Sequence, residues 1–148
     1  MNHTISLSIF SRTILQAAAA VAAGTVLLLA GCASTKEPMQ NVSIVEPADG
    51  AVVSSPFKLR FGIKGMMVAP AGTMLADTGH HHLLINLDAI PAGTVVPFTE
   101  GHMHFGKGQT EAEITLPPGT YKLTAQFANG AHQSYGKSLS QTITVTVK

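Results

Sequence analysis

Five histidines stand in two short runs, Gly79-His80-His81-His82 and Gly101-His102-Met103-His104. Each run contains His-x-His. On an extended strand, residues i and i+2 share a face about 6.6–6.8 Å apart. His80 and His82 therefore point one way, while His81 joins Leu83, Ile85 and Leu87 on the other. His102 and His104 likewise share a face, and Met103 and Phe105 turn inward. Two such pairs brought together offer four imidazoles, a donor set that suits zinc or copper. His80, His82, His102 and His104 are thus the candidate metal ligands. Asp77 and Glu100 precede the runs and could act as ligands or as partners that fix a tautomer. Met66, Met67, Met74 and Met103 would add thioethers suited to Cu(I), or simply pack. The other use of such a cluster is a neutral hydrogen-bonded network holding no ion. His81, on an apolar face, reads as a core residue.

The elements that must carry these residues alternate with period two. Phe57, Leu59, Phe61 and Ile63 alternate with Lys58, Arg60, Gly62 and Lys64. Tyr121, Leu123, Ala125 and Phe127 do the same, as do Ile143, Val145 and Val147, and Ala112, Ile114 and Leu116. Val42 to Glu46 and His82 to Asp88 are shorter candidates. Each reads as a strand with one buried and one wet face. Turn signals separate them at Pro47-Ala48-Asp49-Gly50, Pro117-Pro118-Gly119 and Asn129-Gly130. Residues 65–79 and 90–108 read as long loops, which in a compact domain are usually functional or disordered. The expected fold is all-β, an immunoglobulin-like sandwich of about seven strands. Tyr121, opening a late strand after a Pro-Gly turn, fits the tyrosine corner of such domains. Gly106-Lys107-Gly108 lacks the P-loop pattern and reads as a tight turn rather than a phosphate cradle.

The single cysteine closes Leu29-Ala30-Gly31-Cys32, which resembles the lipobox of bacterial lipoproteins. Arg12 gives a weakly basic start, and the uncharged Ala17–Ala30 stretch is too short for the ~20 apolar residues of a spanning helix. The expected organisation is a cleaved leader at 1–31, a lipidated Cys32 with a tether at 32–40, and one domain at 41–148. Ala33 after the cysteine resembles the sorting signal for the outer membrane of Gram-negative cells, which implies a lipid-anchored protein on its periplasmic face. Losing Arg12 leaves eight Lys/Arg against eight Asp/Glu. A net charge of zero gives no electrostatic case for nucleic acid. With Cys32 lipidated, no thiol remains for a disulfide or a thiolate metal site.

Three stretches carry a resemblance that spans the domain: Glu46 to Ala51 with Phe61-Gly62-Ile63; Ala69 to Thr73 with GHHHLLINL at 79–87; and HFGKGQTEAEITLPPGTYKL at 104–123. They are similar to a bacterial family known as domain of unknown function 4399. The resemblance implies a small exported domain, often a lipoprotein, and brings no activity with it. Members often carry Asn-His-x-Pro-His before the last strand. Here Ala131-His132-Gln133-Ser134-Tyr135 stands there, so His132 matches the first histidine and Tyr135 replaces the second.

Three functions compete at this point. The first is a non-catalytic envelope module that binds copper or zinc. The second is a structural or protein-interaction lipoprotein. The third is a metal-dependent hydrolase with Glu100 or Glu111 as base, which ranks last because no HExxH and no nucleophile triad stands out.

Overall fold

The computed structural model describes residues 40–148; the leader, Cys32 and most of the tether lie outside the described residues. In chain order the strands are β1 (Asn41–Glu46), β2 (Val52–Val53), β3 (Phe57–Lys64), β4 (Met67–Val68), β5 (Thr78–Ile85), β6 (His102–Phe105), β7 (Glu111–Ile114), β8 (Gly119–Ala128) and β9 (Ser140–Val147). Seven of them have four residues or more. One 3-10 turn, Lys137–Leu139, precedes β9. The described residues are thus all-β.

Two sheets form. The smaller is antiparallel in the order β1-β3-β7. The larger runs β2-β9-β8-β5-β4, with β6 also paired to β5. Their facing surfaces share one core. Val42, Ile44, Phe57, Leu59, Phe61 and Ile114 come from the small sheet. Leu83, Phe105, Leu123, Ala125, Phe127, Ile143, Val145 and Val147 come from the large one. On β3 the expected alternation holds: Phe57, Leu59 and Phe61 are buried, and Lys58 and Arg60 are exposed. The same holds on β9. Tyr121 is only half-buried, and its hydroxyl donates to the Pro117 carbonyl at 3.0 Å.

β5 departs from the expected pattern. It starts at Thr78 rather than His82 and is buried on both faces through Leu84. Its end is set by Asn86, which takes a left-handed φ of 60°. Asparagine tolerates that conformation, and the Asn86 carboxamide oxygen accepts the Lys122 N–H at 3.0 Å. The second buried face has a physical cause. The chain after β5 folds back over the outer side of β5 and β8, where Leu84, Val96 and Ala128 form a second small core. Polar tethers hold this cover down. Thr124 donates to the Leu87 carbonyl at 2.9 Å, Gln126 accepts the Ile90 N–H at 3.0 Å, and Ser134 donates to the Ile90 carbonyl at 2.8 Å. The segment from 90 to 108 is therefore not one loop: it is a cover followed by β6. The turn after β6 leads out of the large sheet into β7 of the small one, so it does not join a hairpin.

Candidate metal centre

β5 runs through the middle of the large sheet, and its pleat sends neighbouring histidines to opposite faces. His81 goes to the core. It stacks on Phe61 with ring centroids 4.5 Å apart and meets Phe127 edge-on at 5.0 Å. Both of its ring nitrogens are buried without a partner. Burial, then the neighbouring His80, pushes its pKa down to about 4 from 6.5.

His80 and His82 go to the outer face, and both are fully buried. Their Nε2 atoms lie 3.0 Å apart. His104 on β6 is the register partner of His82, and their ring centroids are 5.0 Å apart. His132, from the loop after β8, completes the group: its Nε2 is 3.1 Å from that of His104. Its ring centroid lies 4.9 Å from that of His80. His80, His104 and His132 can each present a ligand nitrogen within 4.8 Å of the others. His82 adjoins this trio through His80 but is not among the three whose nitrogens all lie within that distance. Four imidazoles therefore cluster, two from one strand, one from its neighbour and one from a loop, and three of them meet the spacing of a shared ion.

His102 is not among them. Positions two apart on β6 are about 6.8 Å apart. Register sets His104 against His82, so His102 falls opposite Leu84. Its Nδ1 instead sits 3.2 Å from Thr99 Oγ1 and 3.2 Å from the Glu100 carbonyl. The place expected for His102 is filled by His132, which has a left-handed φ of 64°. That backbone is held by Asn129, whose side-chain oxygen accepts the N–H groups of Ala131 at 2.9 Å and Gln133 at 3.0 Å. The Asn129-Gly130 turn signal was visible in the sequence; that it aims His132 back at β5 was not.

The other candidates are placed elsewhere. Glu111 lies on β7 of the small sheet and pairs with Lys58 at 2.9 Å. Asp77 accepts from Gln40 at 3.4 Å. Met66 is in the common core and Met103 packs against it, on the face away from the imidazoles. Among the described residues, the ligand group contains histidine alone.

Two further features build the site. A Cβ on Gly106 would fall onto the His104 imidazole, so glycine is needed there for the ring to lie across the turn. Phe98 meets the two outer rings edge-on, with centroids 5.2 Å from His104 and 5.0 Å from His132. Phe98 gave no signal in the sequence beyond being an aromatic residue in a Gly/Pro-rich stretch between the histidine runs.

Burial and mutual repulsion favour the neutral form of three of the rings. Burial, then His104 and His132, pushes the His80 pKa down to about 4. Burial, then His80 and the other three histidines of that face, pushes His82 down to about 3. Burial and His132 also lower His104. At neutral pH these imidazoles keep free lone pairs, the form that coordinates a metal.

The family defined as domain of unknown function DUF4399 matches residues 59–148, and the chain belongs to it. That span contains the whole histidine constellation. No curated protein and no solved structure matches the chain.

Proposed function

We propose that this protein is a lipid-anchored envelope module that binds one zinc or copper ion through His80, His82, His104 and His132. The observation that carries the proposal is the clustering of four imidazoles, three of them able to bring ligand nitrogens within 4.8 Å of one another, with Nε2 atoms in two close pairs at 3.0 and 3.1 Å. A tetrahedral ion with bonds of ~2.05 Å spaces its ligand nitrogens by ~3.3 Å, so small ring movements would seat it. An all-imidazole set suits Zn(II) and Cu(II); it lacks the sulfur donors that favour Cu(I). With His82 as the fourth ligand beside His80 the tetrahedron is filled, whereas hydrolytic zinc keeps a position open for water. This favours binding over hydrolysis, as does the commitment of Glu111 to Lys58. A purely structural network would pair its buried nitrogens. Here the Nε2 atoms pair at hydrogen-bond distance while His80 Nδ1 has no partner, so hydrogen bonding leaves one buried nitrogen of the cluster unsatisfied. For the fold, the bond from Tyr121 to the Pro117 carbonyl, with the two-sheet core, supports the immunoglobulin-like reading.

The test is metal analysis and melting of untagged protein. One Zn(II) or Cu(II) per chain is expected, adding ~2.7 kcal/mol at 100 times the dissociation constant. His82→Ala and His104→Ala should each remove most of this gain, and the double variant little more, because they serve one ion. An unchanged melting curve with either ion would leave the protein-interaction reading. The anchor rests on the Leu29–Cys32 motif and is tested separately: wild type should fractionate with membranes and Cys32→Ser should not. Equal fractionation of the two would reject it.

A further inference from the structure

Resting on the metal-site reading above, we infer that Phe98 is a partial shield of this site, lying against its solvent-facing outer rings and restricting the approach of water and competing ligands. The inner rings, His80 and His82, are fully buried behind the outer pair, of which His104 is exposed and His132 half-buried. Solvent therefore reaches the cluster from the side of the outer pair. Phe98 stands there: its ring meets His104 at an interplanar angle of 85° and His132 at 69°. The ring is itself 66% exposed, so core burial does not explain its position.

The backbone holds Phe98 in place from the same loop that carries His132. Val96, fully buried, donates its N–H to the His132 carbonyl at 2.9 Å. The segment before it is pinned in the same way: Ser134 donates to the Thr94 carbonyl at 2.9 Å, and Gly93 to the Ser134 carbonyl at 2.8 Å. Pro97, with a fixed φ and no N–H, joins this anchor to Phe98 and limits its swing. The segment leading to Phe98 and the loop carrying one ligand are thus tied together by backbone hydrogen bonds. An apolar group over a metal site controls solvent access and the local dielectric. With an ion bound, Phe98 would restrict entry of a further ligand from the side of His104 and His132 and slow exchange of the ion.

Co(II) is the probe, because its visible absorption separates four- from five-coordinate sites. Wild type loaded with Co(II) should give an intense four-coordinate spectrum that azide does not change. Phe98→Ala should bind Co(II) but shift to a weaker, azide-sensitive spectrum, and should release the ion to a chelator on the order of 10-fold faster. Phe98→Leu, which restores apolar bulk, should recover the azide resistance and most of the slow release. Identical azide response and release in wild type and Phe98→Ala would overturn the shield. Failure of wild type to bind Co(II) at all would instead remove the metal site itself.

Discussion

His81 sits in the core as an imidazole with neither nitrogen paired, which is an uncommon thing for a small domain to bury. An unpartnered buried polar group costs about 1–3 kcal/mol, and stacking on Phe61 offsets only part of that. Its depressed pKa also makes it acid-sensitive. Above pH 6.5 it is neutral both folded and unfolded, and stability is full. As pH falls from 6.5 towards about 4, the unfolded chain takes up the proton and the folded one does not, so stability is lost. By pH 5 that loss is roughly 2 kcal/mol for this one ring. His81→Phe should keep the aromatic stack, be no less stable at pH 7, and show a smaller fall in melting temperature between pH 7 and 5. An acid profile identical to wild type would show that His81 does not titrate with unfolding. The pairing of opposite roles on His80 and His81 was legible in the sequence from the strand period alone. The unpartnered state of His81 was not, because it depends on what the small sheet sets against it.

At the scale of elements, the loop between β8 and β9 does the least expected work. Its one sequence signal is the match of His132 to the first histidine of the family's Asn-His-x-Pro-His stretch; otherwise His132 is one histidine among polar neighbours. What aims it is the Asn129 side chain, closing a turn over Ala131 and Gln133. Asn129→Ala should cost about 1 kcal/mol, as expected for lost turn hydrogen bonds. It should also weaken Zn(II) binding more than it lowers the melting temperature of the metal-free protein would suggest. A variant with normal Zn(II) affinity would separate His132 from the site. The same scale explains why the sequence offered His102 in its place. Two His-x-His runs look symmetric on paper. Antiparallel register breaks the symmetry, since only one residue of β6 can lie opposite His82, and that residue is His104.

For the whole molecule, the division of labour between the two sheets was largely readable. The alternating segments at 57–64 and 140–147 became strands with the expected inward residues, because side-chain period and burial coincide where one face is wet. Reading failed where a second layer covers the outer face. There β5 and the second half of β8 bury both sides, and alternation is erased. Pairing choices such as β6 with β5 rather than with β7 are also long-range decisions that no local pattern encodes. Phe61 lies where the sheets meet, touching both His81 and Phe105. Phe61→Ala should cost about 3–5 kcal/mol, measured by denaturant unfolding at pH 7. A loss below 1 kcal/mol would mean that the two sheets do not depend on that contact.

The four candidate ligands are drawn from parts of the chain that open at different rates. His80 and His82 belong to a central strand, whose amides exchange with solvent only when much of the molecule comes apart. His132 belongs to a turn closed by a handful of hydrogen bonds, of the kind that opens and shuts many times before the protein unfolds. An ion held by all four would fasten the fast part to the slow part. Its grip would then be recorded in deuterium uptake at residues 129–134, with β5 almost silent, so the loop rather than the strand would report whether the site is filled.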